Sequence, residues 1–157
     1  MRVTSPVIKD NQPINPKYTA DGDNISPPLH IEDVPSNARE LALIVEDPDA
    51  PTPEPFVHWV LYKVPPTSTD LPEGIKTAAR IDQPPGAMQG KNDMKRVGYT
   101  GPEPPPGHGT HHYHFRVYAL DKRLEVQPGA DEKSLLASMS GHILDSAEVV
   151  GTYERMR

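Results

Sequence analysis

Three stretches of the chain have the hydrophobic pattern of β-strands. In the first, Leu41, Leu43 and Val45 share one face at period two, and Asp47 ends that face. The second is apolar on both faces, as in a strand at the centre of a sheet. The third alternates between apolar and polar residues, which predicts that one face is buried. We predict long strands at 39–47 (RELALIVED), 56–64 (FVHWVLYKV) and 111–120 (HHYHFRVYAL), and shorter ones at 3–8 and 29–32.

The pattern changes towards the end of the sequence. Asp131 is a suitable N-cap, and apolar residues such as Ile143 recur beyond it at helical spacing. This predicts a helix over 131–145. Residues 149–154 either continue that helix or form a last strand. Because no internal repeat or linker divides the chain, we predict that residues 1–157 form a single domain, mainly β and antiparallel, with a peripheral helix.

The 20 prolines among 157 residues are grouped between the predicted elements. Because proline lacks a backbone N–H and cannot serve a central ladder position, these groups indicate loops. The two densest groups, 48–55 and 102–106, flank the residues with candidate chemistry. We therefore interpret the high proline content as stiffening of loops around one site rather than as a sign of disorder.

Composition narrows the classes of protein. There is no cysteine, which excludes disulfides and thiolate metal sites. No apolar run reaches the length of about 18 residues that a membrane span needs, so no stable membrane insertion is expected. The first residues, MRVTSP, lack a hydrophobic signal region, which predicts a cytoplasmic protein. A formal charge of −6 without a basic run argues against nucleic-acid binding.

Ionisable residues lie at the ends of the three long predicted strands. Asp47 ends the first, His58 lies near the start of the second, and His111 begins the third. If these strands share a sheet, one acid and two imidazoles converge at the rim of a hydrophobic core. Imidazole N–H groups are suitable donors to a phosphate or carboxylate, and the acid would orient a ring. Alternatively, Asp47 makes an Asx-type turn and the histidines bond to backbone in the core.

The same cluster also allows an enzyme. Asp47 with His58 and His111 can act as general acid and base, or as a metal site of two histidines and one carboxylate. The missing nucleophile argues against an enzyme, because there is no cysteine and no serine in a nucleophile-elbow context. We expect no metal and no cofactor. Of the other histidines, four are expected to have structural or surface roles: His108, His112, His114 and His142.

Several motifs resemble those of the phosphatidylethanolamine-binding proteins, a family that includes the Raf kinase inhibitor proteins. The motifs follow one another with the family's order and spacing over nearly the whole chain. They are INPKYTADGDNISPPL at 14–29, DPDAP at 47–51 with His58-Trp59, the stretch from Gly98-Tyr99 to His111-His112-Tyr113, and Gly141 to Tyr153, which looks like the bacterial and archaeal branch.

The resemblance implies a Greek-key antiparallel β-sandwich with peripheral helices. It also implies a small pocket that accepts phosphate-like or phospholipid head groups, and regulation or inhibition of a kinase or serine protease. Prokaryotic relatives are often dimers, so a homodimer is expected. Carried over by position, the ligand-binding residues would be Asp47, His58, His111 and Tyr113, with Pro51 and Pro102 as walls and Asp49 supporting the first loop.

Two details of the loops follow from the same resemblance. Family members commonly carry cis peptides in the first loop, which makes Asp47–Pro48 and Ala50–Pro51 candidates. The chain also has His112 where the family frequently has arginine.

Overall fold

Two β-sheets and one α-helix make up the fold in the computed structural model, which describes residues 1–156. The strands are β1 (Arg2–Thr4), β2 (Gln12–Pro13), β3 (Leu29–Glu32), β4 (Glu40–Asp47), β5 (Phe56–Val64), β6 (Asp70–Leu71), β7 (Met88–Gln89), β8 (His111–Leu120) and β9 (Ile143–Tyr153); helix α1 (Glu132–Met139) lies between β8 and β9. The predicted mainly β fold with a peripheral helix is confirmed. No helix in the described range is long and apolar enough to cross a membrane.

The three long predicted strands are adjacent in the larger sheet. Its order is β2-β9-β8-β4-β5-β7, and the smaller sheet has the order β1-β3-β6. Strand β4 pairs antiparallel with both β5 and β8, and within the described chain only the short β2 pairs in parallel, with β9. The predicted bounds of β5 and β8 are confirmed, and β4 begins one residue later than predicted.

The two faces of β4 pack into two different cores. Leu41, Leu43 and Val45 lie in a core that also contains Val3 and Ile31 of the smaller sheet. Ala42 and Ile44 instead face a second core, formed in part by Leu135 and Met139 of α1. The period-two pattern thus explains why a strand that is apolar on both faces lies at the centre, covered by a sheet on one side and by a helix on the other.

Two predicted boundaries were wrong. The strand predicted at 3–8 ends at Thr4, because the Ser5 hydroxyl accepts hydrogen bonds from the backbone N–H groups of Val7 (3.2 Å) and Ile8 (3.3 Å) and forms a turn. The helix predicted over 131–145 begins at the expected N-cap, where Asp131 accepts from the backbone N–H of Ser134 at 2.9 Å. It ends at Met139, six residues earlier than predicted.

The chain turns after α1 and returns as β9. This strand pairs with β8 along its length, from His111 opposite Tyr153 to Leu120 opposite Ile143. Pairing with β8 places Val149 and Ala147 of this segment against the first core, so tertiary packing overrides the helical spacing of the apolar residues. Of the two alternatives for residues 149–154, the strand is the one observed.

Strand β9 is largely unpaired on its outer side. The short β2 pairs there only with Gly151 and Thr152. Further along, carboxylates accept the backbone hydrogen bonds. The N–H of Val150 donates to Asp10 Oδ1 at 2.9 Å, and that of Ser146 donates to Asp145 Oδ1 at 2.8 Å.

Candidate ligand-binding pocket

A cavity lies where β4 ends and where β5 and β8 begin. Because these strands are neighbours, Asp47, His58 and His111 are brought together, as the sequence predicted for strands sharing one sheet, and Tyr113, implied by the resemblance, lies with them. All four side chains line the cavity, whose volume is about 240 Å³. All four residues are also buried, so the side chains that line the cavity have little contact with open solvent.

Asp47 holds the ring of His111 and also shapes the first loop. The Nδ1 atom of His111 lies 2.6 Å from Asp47 Oδ2, and the backbone N–H of Asp49 donates to Asp47 Oδ1 at 2.8 Å. Since a carboxylate only accepts, Nδ1 of His111 carries the proton in this pair. The sequence left two contacts open for Asp47, and the structure contains both. Oδ2 orients the ring of His111, and Oδ1 makes the Asx-type turn.

His58 is fixed by the second loop. Its Nδ1 lies 2.7 Å from the carbonyl oxygen of Thr100, so this nitrogen donates, and the N–H of Thr100 donates back to the His58 carbonyl at 2.9 Å. Within residues 1–156, Nε2 makes no hydrogen bond. Burial lowers the pKa of His58 below its ordinary value, although the charges of Asp47, Asp93 and Glu103 act in the opposite direction.

Tyr113 has a buried hydroxyl with no hydrogen-bond partner in the described chain. Its ring packs edge-on against His58, with 5.2 Å between the ring centroids. Burial, together with the charge of Asp47, raises the pKa of Tyr113, so the hydroxyl keeps its proton and can donate. Buried polar groups are nearly always paired in native proteins, so this hydroxyl is suited to a group that enters the cavity.

The first loop contributes Ala50, Pro51 and Thr52 to the lining, whereas Asp49 lies behind it. Asp49 Oδ2 accepts from both the backbone N–H and the ring Nδ1 of His112, each at 2.8 Å, and so ties the loop to β8. Burial opposes ionisation, but these bonds lower the pKa of Asp49. The candidate cis peptides are trans; the cis bond found in residues 1–156 is Gln83–Pro84.

The second loop forms the opposite wall, through Gly101, Pro104 and Pro105. Pro102 is not part of the lining. It is buried, and its carbonyl accepts from the N–H of Ala20 at 3.0 Å. The neighbouring Gly101 donates its N–H to Asn24 Oδ1 at 2.7 Å, and a Cβ at this position would lie 2.4 Å from the carbonyl oxygen of Tyr18.

The opening motif thus buttresses the second loop, a role that sequence reasoning missed. Asn24 accepts the hydrogen bond from Gly101, and Tyr18 leaves room only for glycine there. Tyr99 adds a further link, because its hydroxyl donates to the carbonyl of Tyr18 at 2.6 Å. The signal was present in the sequence, since the asparagine and the glycine both belong to family motifs, but their pairing is visible only in three dimensions.

His108 was also missed as a member of the site. Its Nδ1 lies 2.6 Å from Nε2 of His111, and the two ring centroids are 4.8 Å apart. Asp47, His111 and His108 therefore form one hydrogen-bonded chain. The ring is solvent-exposed, so the predicted surface position is correct, but its contact with a buried histidine goes beyond a surface role.

Known proteins resemble this chain over nearly its whole length. A family model described as phosphatidylethanolamine-binding protein matches residues 4–154. The chain belongs to this family. The resemblance predicted from the motifs is thereby confirmed. The UPF0098 protein PH1269 of Pyrococcus horikoshii is 49% identical over 151 residues, which cover 96% of this chain and 75% of that protein.

Solved structures of phosphatidylethanolamine-binding protein homologues have the same fold. The homologue CT736 of Chlamydia trachomatis superposes with a TM-score of 0.87 at 40% identity, covering 98% of this chain and 97% of that one. YbcL of E. coli, described as a member of the mammalian family, gives a TM-score of 0.89 at 32% identity with the same coverage of both chains, 98% and 97%.

In this member of the phosphatidylethanolamine-binding family, residues 1–156 contribute no lysine or arginine to the cavity lining. The lining has two carboxylates, Asp47 and Glu103. The side chains in it that can take up a positive charge are the histidines. Among residues 1–156, no three His, Asp or Glu side chains are arranged to hold a metal ion. The absence of a bound metal and of a cofactor stays a prediction from the sequence.

Proposed function

We propose that the cavity binds the phosphate-like group of a small ligand. The observation that carries this proposal is that, within residues 1–156, the buried hydroxyl of Tyr113 and Nε2 of His58 both lack a hydrogen-bond partner, on two rings that pack against each other. A hydroxyl donor suits a phosphate oxygen, and an imidazole nitrogen does so when a proton lies between the two. The stiff proline-rich walls support it further, because preorganised loops lower the cost of ordering on binding.

Binding an anion here requires a proton. Because burial keeps His58 neutral and its Nδ1 donates to Thr100, Nε2 presents a lone pair to the cavity. A phosphate oxygen meets that lone pair favourably only if His58 gains a proton or if the phosphate group brings one. Among residues 1–156 the lining has no lysine or arginine that would offset the charge of the anion. Affinity should therefore rise as the pH falls.

The remaining walls are apolar and suit the organic part of a phosphorylated molecule. Pro51, Phe56, Met94 and Pro104 line this part of the cavity, and the side chain of Met94 is partly exposed at its edge. Inorganic phosphate fills only the polar end. A phosphomonoester or a lipid head group would also remove apolar surface from water, which strengthens binding.

Titration calorimetry with inorganic phosphate at pH 6 tests the polar end. We expect weak binding by the parent and loss of binding by a His58→Ala/His111→Ala double variant. The matched control is His142→Ala, which removes an exposed histidine that pairs with Asp121 at the far end of β8. Equal binding by the double variant and the parent would contradict the pocket assignment. A second titration with short-chain phospholipid distinguishes a lipid head group from free phosphate.

A second candidate is hydrolysis, which the Asp47–His111 contact favours. A carboxylate that holds Nδ1 of an imidazole orients the ring for general-base catalysis through Nε2. In this case water would be the nucleophile. Turnover of a chromogenic phosphate or carboxylate ester by the parent, abolished in His111→Ala, would support the enzyme over the binding module.

Regulation of a kinase or serine protease stays a prediction of the family resemblance, as does a homodimer. Inhibition of a representative serine protease and of a Raf-type kinase, measured with and without bound phosphate, tests the first. Light scattering of the purified chain tests the second.

A further inference from the structure

His111 has no ring nitrogen free for a ligand in this structure. Its Nδ1 is held by Asp47 at 2.6 Å, and its Nε2 faces Nδ1 of His108, also at 2.6 Å. In the neutral form of His111, whose proton is on Nδ1, Nε2 is an acceptor, so His108 would donate across this contact. The second loop thereby supplies its own donor to the atom that an external ligand would use.

The two histidines differ in how firmly they are held. His111 is 1% exposed, belongs to β8 and is oriented by a buried carboxylate. His108 is exposed and lies in a turn between Gly107 and Gly109, whose φ angles are 74° and 89°. A Cβ on Gly109 would meet no atom of residues 1–156 within 4 Å, so the described chain leaves space at this part of the turn. The ring of His111 is therefore fixed, whereas the side chain of His108 has room to move away from it.

Leaving does not require the loop to unfold. The backbone of the turn is fixed, because the N–H of Gly107 donates to the carbonyl of Arg155 at 2.9 Å and that of His108 to Pro105 at 3.1 Å. Rotation of the His108 side chain is therefore enough to free Nε2 of His111. Exposed side chains change rotamer within nanoseconds, and the displaced imidazole would be solvated by water.

We propose that His108 is an intrinsic competitor that closes Nε2 of His111 until a ligand displaces it. This inference rests on the proposed function, because it describes how access to the same cavity is regulated. The ligand class is the one already proposed, a phosphate-like group, which competes with the His108 donor for this lone pair only through a P–OH proton of its own. Such a group reaches full contact with the site only in the fraction of molecules in which His108 has rotated away, which lowers the apparent affinity.

The first test is structural and needs no ligand. In ¹⁵N NMR of the imidazole nitrogens, we expect the resonance of His111 Nε2 to shift in His108→Ala, because its hydrogen-bond donor is lost. The matched control, His142→Ala, should leave that resonance in place. An unchanged His111 Nε2 in His108→Ala would overturn the proposal, since the contact would not exist in solution.

The second test measures competition by titration with inorganic phosphate. An intramolecular hydrogen bond typically shifts an equilibrium by roughly two- to tenfold. We therefore expect His108→Ala to bind phosphate about two- to tenfold more tightly than the parent, with the ring resonances of His108 in the parent moving on addition of phosphate. His108→Asn keeps a side-chain N–H donor and should lie closer to the parent.

The outcomes separate this proposal from the proposed function. Binding by the parent that is unchanged or weakened in His108→Ala overturns the competition alone and leaves the phosphate pocket intact. Absence of phosphate binding in the parent and in both His108 variants overturns the proposed function, and the competition with it. In that case the NMR comparison would show only whether the contact is structural.

Discussion

Glu46 and Asp47 are adjacent in the chain and lie in opposite electrostatic surroundings. Asp47 faces the pocket, where it accepts from His111 and from the backbone N–H of Asp49. Glu46 faces the side covered by α1, where it meets another acid, Glu132. Neighbouring residues of a strand point to opposite faces of the sheet. Asp47 therefore meets hydrogen-bond donors, whereas Glu46, the residue before it in β4, meets another carboxyl group.

The acid pair on the helix side holds a proton more firmly than an ordinary carboxyl group does. Burial, with the hydrogen bond and charge of Glu46, raises the pKa of Glu132 to about 8. One of its carboxyl oxygens is buried without a hydrogen-bond partner among residues 1–156. The comparison shows that burying an acid does not by itself determine its ionisation, because the partners that the fold provides decide it.

The largest expected effect comes from removing the well-partnered acid. Asp47→Ala should lower the free energy of unfolding by about 3 kcal/mol, because His111 Nδ1–H and the Asp49 N–H lose their acceptor in a buried site. Glu46→Ala, one residue away, should cost less than about 1 kcal/mol. Urea denaturation at pH 8 measures both. Equal losses would mean that the two faces do not differ as described.

Two tyrosines extend the comparison. Tyr62, on the helix side, donates to the carbonyl of Gln127 and accepts from the N–H of Ala130 at 3.2 Å, whereas the hydroxyl of Tyr113 has no partner within residues 1–156. We expect Tyr62→Phe to lose about 2 kcal/mol of stability and Tyr113→Phe to lose none, or to gain up to about 1 kcal/mol. Thermal and urea unfolding of the pair decide this, and a loss in Tyr113→Phe would reveal a partner for its hydroxyl.

The acid pair predicts a dependence of stability on pH. Since the pKa of Glu132 is raised in the folded state to about 8, its stabilising contribution is complete below the ordinary glutamate pKa and is lost as the pH rises through 8. Glu132→Gln mimics the protonated acid and should add about 1 kcal/mol at pH 8, a value reduced for solvent screening of this half-exposed group. The control is Glu125→Gln, which changes an exposed glutamate. If the stability of the parent and that of Glu132→Gln depended on pH in the same way, the raised pKa of Glu132 would be refuted.

The smallest expected effect concerns the pocket side and its neutral histidine. Sulfate has the shape of phosphate but remains a dianion from pH 8 to pH 6, so any gain in its affinity reports a proton taken up by the protein. Because burial lowers the pKa of His58 and a bound anion raises it, we expect sulfate affinity to increase several-fold over this range. His58→Gln should remove the increase. A flat profile in the parent would show that the ligand must bring the proton.

The sequence predicted the strands of the central sheet well, because period-two alternation and the grouped prolines both report local geometry. It also predicted that Asp47, His58 and His111 meet, because all three lie at the ends of strands that antiparallel pairing brings to the same end of one sheet. The end of α1 was not predictable, because Ile143 fits a helical period and only pairing with β8 assigns it to a strand.

Contacts between side chains from distant elements were the other gap. The link between His108 and His111 depends on the path of a turn, and that between Glu46 and Glu132 depends on how α1 lies on the sheet. Neither has a spacing that a sequence pattern could record. The buttress formed by Asn24 on Gly101 was marked by the family motifs, but the motifs carry no information about which residues touch.

The outer side of β9 has a consequence for how copies of this chain meet. An exposed strand edge is a template on which another chain can add by hydrogen bonding, and such addition leads to aggregation. Here Asp145 and Asp10 already occupy the N–H groups of Ser146 and Val150, and their carboxylates would repel the carbonyl oxygens of an incoming strand. Two aspartates thus act as gatekeepers against open-ended sheet growth, and a specific dimer would have to form through a different surface.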